Sequence, residues 1–131
     1  VHACTDVTGF GLLGHLSEMA AGSNVAMRVH AGAVPLLPQV LDLATTGVLP
    51  GGSRRNLAHV RAAIGFTATV PEPVLLTLAD AQTSGGLLVA LPPAAAARYV
   101  ATLEALGHPF PVGRVGEVLG PAEGGRIEVA S

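Results

Sequence analysis

The residues best equipped for chemistry lie close together, in Thr5-Asp6-Val7-Thr8-Gly9-Phe10-Gly11-Leu12-Leu13-Gly14-His15. A carboxylate and two hydroxyls precede a glycine-rich turn, and the turn opens into a stretch of helical periodicity. The amino terminus of a helix carries unpaired N–H groups and partial positive charge, so it receives phosphate well. Glycine lets the backbone approach such a ligand because no Cβ stands in the way. Asp6 adds a hard oxygen of the kind Mg²⁺ takes when it is shared with nucleotide phosphates. The same residues allow a plainer reading, in which Asp6 and Thr8 cap the helix and the glycines permit tight packing. Both readings stand at this point. Gly9, Gly11 and Gly14 also fit a dinucleotide-binding spacing, but no acidic residue ends a second strand about 20 residues further on, as that site requires. His15, on an apolar helix, reads as a hydrogen-bonded packing residue. Cys4 reads as a small buried hydrophobe, since no base is indicated beside it.

A second polar stretch, Asp80-Ala81-Gln82-Thr83-Ser84-Gly85-Gly86-Leu87-Leu88, runs into an apolar segment. Turn chemistry accounts for every residue in it. The functional alternative is a loop facing the same cleft as Asp6.

Elements that would position these loops follow from periodicity and punctuation. Residues 1–8 are β-branched and extended. Leu12, Leu13, Leu16, Met19 and Ala20 recur at helical spacing, with a stop at Gly22 to Asn24. Residues 25–29 form a strand. A second helix is expected over 33–45 with Pro35 near its start, and a third over 54–64 with Ser53 as its cap and Leu57, Val60, Arg61 and Ile64 on one face. A short helix over 71–78 precedes a buried strand over 86–91, and an Ala-rich helix covers 93–106. Residues 112–118 and 126–129 are expected to pair as a hairpin across the Glu123-Gly124-Gly125 turn. Helices and strands interleave without repeats, so the fold class is α/β (α+β), with helices packed on a mixed β-sheet.

The chain has 131 residues, half of them hydrophobic, which suits one domain with a single core built from Val, Leu and Ala. All seven basic residues are Arg, and the net charge of −2 excludes binding driven by neutralising nucleic-acid phosphates. The longest uncharged run, 81–97, is broken by Gly-Gly and Pro-Pro, so no membrane span is expected. A single cysteine excludes an internal disulfide and fits a reducing, cytoplasmic setting. Starting at Val1 inside a motif, the chain reads as a fragment.

Taken together, the two polar stretches resemble the signatures of selenophosphate synthetase (selenide, water dikinase). The resemblance runs the length of the chain; Ala81 stands where that family often has Pro. It implies the carboxy-terminal domain, over 1–131, of a larger two-domain enzyme of the aminoimidazole ribonucleotide synthetase-like superfamily, lacking the amino-terminal domain that dimerises and holds ATP. Such enzymes convert selenide, ATP and water to selenophosphate, AMP and phosphate with Mg²⁺. Their reactive Cys or selenocysteine, its neighbouring Lys and most metal-binding aspartates belong to the amino-terminal part, so no catalytic residue is expected here and the isolated chain should be inactive. Asp6 matches an aspartate of the Mg²⁺–phosphate site. Thr5, Thr8, Gly9 and Gly11 share its motif and are assigned a supporting role near the phosphates. The implied setting is a cytoplasmic homodimer acting on selenide and ATP. Two alternatives are another ATP-using member of the superfamily, in purine biosynthesis or hydrogenase maturation, and a non-catalytic domain kept for dimer or partner contacts.

Overall fold

The computed structural model describes residues 1–66 and 69–131. After β1 (Ala3–Asp6) the chain enters α1 (Gly11–Ser23), whose Leu13, Leu16 and Ala20 are buried at helical spacing. Asn24 ends α1 in the left-handed conformation, its N–H returning to the carbonyls of Ala20 and Ala21. β2 (Val25–His30) follows directly, then a 3₁₀ turn (Ala31–Ala33) and α2 (Val40–Thr45). α3 (Gly51–Val60), β3 (Ile64–Phe66), α4 (Glu72–Leu78), β4 (Leu87–Ala90), α5 (Pro93–Ala105), β5 (Gly116–Pro121) and β6 (Arg126–Ala130) complete the order.

The strands form two sheets. One has the order β3-β6-β2-β5, with β2 parallel to β6, β6 parallel to β3, and β5 antiparallel to β2. The other is a two-stranded antiparallel ribbon of β1 and β4, with Asp6 opposite Leu87. Helices lie against a mixed sheet, as the interleaved pattern implied. The core forms where Met27, Val29, Ile127 and Val129 of the larger sheet meet Leu13 and Leu16 of α1, Leu57 and Val60 of α3, and Leu75, Leu76 and Leu78 of α4. Ile127 and Val129 are wholly buried, each contributing about 1.5–3 kcal/mol of burial free energy.

The helix expected over 33–45 is confined to its last six residues, Val40–Thr45. Pro35 and Pro38 force their preceding residues out of the helical region, and Val34 is extended (φ −76°, ψ 121°). Ser53 is not a cap: α3 begins two residues earlier, at Gly51, and ends at Val60, so Arg61 is exposed and Ile64 starts a strand. The strand expected to be buried over 86–91 is half-exposed, because among the described residues β4 pairs only with β1, and Leu87 stands in solvent.

The expected hairpin of β5 and β6 is split by β2, which lies between them. Opposite charges line up across the insertion. In register, Arg28 of β2 sits opposite Glu117 on one side and Glu128 on the other. Its guanidinium reaches Glu128 Oε2 at 2.8 Å and Glu117 Oε1 at 3.6 Å, so one cation separates two carboxylates on the face away from the core. The crossover is tied to the end of α1, where the Asn24 side-chain oxygen accepts the Gly124 N–H and the Asn24 carbonyl accepts the Ala122 N–H.

Candidate functional site

β1 and the turn after it carry the predicted site residues. Along β1 the burial alternates: Ala3 and Thr5 are partly covered, while Cys4 and Asp6 stand on the exposed face. Cys4 is therefore exposed rather than buried, because strand alternation turns it outward. Thr5 faces the other way, and its hydroxyl donates to the Asp6 carbonyl at 3.3 Å.

Asp6 does not cap α1. The helix is preceded by Phe10 at the cap position, with no side-chain hydrogen bond there, and Asp6 lies four residues upstream on the strand. Its carboxylate makes no hydrogen bond or ion pair with any described residue. Nor does Thr8 cap the helix. Its hydroxyl lies 3.0 Å from His15 Nε2, whose Nδ1 is 3.3 Å from Glu18. His15 is buried and hydrogen-bonded to Thr8 through Nε2, the packing role expected of it.

The turn between Asp6 and α1 is locked to the second polar stretch through backbone. The Val7 N–H donates to the Gly86 carbonyl at 2.9 Å, and the Thr8 carbonyl accepts from Gln82 at 3.0 Å and Gly11 at 3.1 Å. Gly11 has φ +67°, and a Cβ there would lie 2.5 Å from the Ala79 carbonyl carbon and 2.8 Å from the Asp80 carbonyl oxygen. At Gly85 a Cβ would run into the Val7 carbonyl oxygen. Both positions demand glycine for close backbone contact. Gly9 differs: it is exposed, and a Cβ there would meet nothing within 4 Å. No steric demand within this chain calls for glycine at that place.

α3 supplies two contacts that motif reading misses. Ser53, wholly buried, donates its hydroxyl to the Asp80 carboxylate. Asn56 Nδ2 donates to the Gly9 carbonyl at 2.9 Å and to the Ala79 carbonyl at 3.0 Å. The available signal was Ser53 lying in register with Leu57 and Val60, a polar group on an otherwise apolar helix face.

Among the described residues no group of three or more His, Cys, Asp or Glu side chains could hold a metal ion. Asp6 is one exposed hard-oxygen donor. It suits Mg²⁺ as a single ligand and leaves the remaining positions to phosphate oxygens, water or other protein groups. No helix among the described residues is long and apolar enough to cross a membrane.

The α/β domain interlocks two glycine-bearing loops and leaves one unpartnered carboxylate beside them. The family model for the carboxy-terminal domain of AIR synthase related proteins matches residues 1–127, and the chain belongs to that family. Curated relatives that it matches include selenide, water dikinases. The chain is 46% identical to that of Myxococcus xanthus over 82% of its own length and 30% of the relative's. It is 47% identical to that of Trichlorobacter lovleyi over 92% of its length and 34% of the relative's. With that of Escherichia coli O157:H7 it shares 46% identity over 98% of its length and 35% of the relative's. The chain thus spans about a third of the length of the relatives it matches, and the resemblance to selenophosphate synthetase holds across it.

Proposed function

We propose that this chain serves as the carboxy-terminal domain of an ATP-dependent selenophosphate synthetase, which makes selenophosphate, AMP and phosphate from selenide, ATP and water. An amino-terminal domain supplies the ATP site, and the enzyme works as a cytoplasmic homodimer. The observation that carries the reading is Asp6, an exposed carboxylate with no partner among the described residues, set where the family's motif has a metal-site aspartate. Mg²⁺, when bound, neutralises phosphate charge during phosphoryl transfer.

The chain's own residues have simpler tasks. Asp6 presents a negative oxygen. Thr8, its hydroxyl engaged by His15, keeps the turn in shape. Gly9 leaves open space above the backbone for a phosphate to approach, and Gly11 lets α1 start against Ala79 and Asp80. Thr5 holds the Asp6 carbonyl. One carboxylate cannot position a phosphoryl group alone, so the chain by itself forms no selenophosphate.

Asp6→Asn in a full-length enzyme tests this. Asn keeps the size and loses the charge. Because Asp6 is exposed and caps nothing, stability should change by less than about 0.5 kcal/mol. Selenide-dependent AMP formation should fall at least about 10–100-fold, the loss typical of disturbing even a metal ion's outer partners. Near-normal turnover at saturating Mg²⁺ would remove Asp6 from the site.

A further inference from the structure

Ser53 and Asn56 stand one turn apart on α3, and between them they hold both signature loops. The side-chain amide of Asn56 gives one N–H to Gly9, in the loop after Asp6, and the other to Ala79, at the start of the second loop. Both partners are carbonyl oxygens, which only accept, so the NH₂ end of the amide must face them. Ser53 fixes the adjacent Asp80 from the same helix. Between the anchored ends, Gln82 donates to the Thr8 carbonyl and Gly11 packs on Ala79 and Asp80. The span from Thr8 to Phe10 belongs to no helix or strand, so these bonds are what set its place.

We propose that Asn56 is a positioning residue for the Mg²⁺–phosphate site: by clamping Gly9 to Ala79 it sets the height of the Asp6–Gly9 turn against the second loop. The proposal rests on the functional reading above. Reactions that depend on held geometry lose about 100-fold for a displacement near 1 Å, even from a group that touches no substrate. A residue serving only to pack α3 would have no such effect, because Asn56 is partly exposed and lies beside, not within, the buried Leu57–Val60 face.

The test compares Asn56→Asp and Asn56→Ala with the parent in a full-length enzyme. The first places a carboxylate against two carbonyl oxygens, and the second deletes the donors without adding charge, so a misfolded aspartate variant leaves the alanine variant to decide. Two readouts are taken. Amide hydrogen exchange at Gly11 and Gln82, both bonded to the Thr8 carbonyl, should quicken about 10-fold or more while β2 and β6 keep their protection. The kcat for selenide-dependent AMP formation should fall about 10–100-fold with the melting temperature nearly unchanged. Unchanged exchange at both amides in the alanine variant overturns the clamp. Quickened exchange with an intact kcat overturns its role in positioning the site. A parent enzyme without selenide-dependent turnover overturns the functional reading itself, and exchange alone then decides whether Asn56 ties the loops.

Discussion

Gly11 and Gly9 are two residues apart in one motif, yet alanine should have opposite consequences at them. At Gly11 the backbone has φ +67°, and an L residue in the left-handed region costs about 1–2 kcal/mol. The new Cβ would also sit 2.5 Å from Ala79 C and 2.7 Å from Ala79 O, both backbone atoms of the turn after α4 that cannot rotate away. Relieving such overpacking typically costs a further 1–3 kcal/mol or so. Gly11→Ala should therefore lose about 2–5 kcal/mol. At roughly 4 °C per kcal/mol for a domain of this size, that lowers the melting temperature by about 8–20 °C. At Gly9 the φ is not positive and nothing lies within 4 Å, so Gly9→Ala should be neutral or stabilise by up to about 1 kcal/mol through the unfolded chain. Thermal and urea unfolding followed by far-ultraviolet circular dichroism measures both on the same protein. A Gly11→Ala melting temperature within about 2 °C of the parent, or a Gly9→Ala loss as large as that at Gly11, would refute the reasoning. Were Gly9→Ala stable but inactive in a full-length enzyme, the open space at Gly9 would be marked as room for a ligand.

Ile127→Ala should lower the urea midpoint by the equivalent of about 2–5 kcal/mol with an unchanged slope, since Ile127 is wholly buried between β2 and β3; a loss below about 1 kcal/mol would mean the sheet collapses onto the cavity. Arg28→Ala should cost about 1–2 kcal/mol by leaving Glu117 and Glu128 without the cation between them, and 1 M NaCl should narrow that gap by screening the two carboxylates. Arg28→Met, which keeps the apolar stem, separates charge from packing, and equal losses for Met and the parent residue's absence in Ala would assign the effect to charge.

What could be read ahead of the structure was what is encoded locally. α1, α4 and α5 were legible because apolar spacing, Pro at a helix start and Gly or Asn at its end act within a few residues of one another. The failures share a cause of the opposite kind. β5 and β6 look like a hairpin because a Gly-Gly turn lies between them, and nothing near that turn says that a strand from about 90 residues earlier will enter. The arrangement pairs Arg28 with Glu117 and Glu128, partners visible only once the three strands lie side by side. Similarly, Ser53 looks like a cap because the preference for Ser at that position is strong. Its partner Asp80 is 27 residues away, and burial beside it outweighs the local preference.

The candidate site divides along the same line. Its unusual composition was legible, because a carboxylate ahead of three spaced glycines stands out in the sequence. Choosing between cap and ligand was not possible from spacing alone, since both place a carboxylate just before a helix. The cap is excluded by two features that only the fold supplies. β1 ends at Asp6 rather than at the helix, which puts Phe10 at the cap position, and the strand alternation puts Asp6 on the exposed face of β1. A capping carboxylate would turn toward the first amides of α1. Here the Gly11 amide is already taken by the Thr8 carbonyl, and the exposed Asp6 carboxylate makes no hydrogen bond or ion pair with any described residue. An exposed charge of that kind adds almost nothing to folding, so on the proposed reading the cost of replacing it falls on activity, which Asp6→Asn tests.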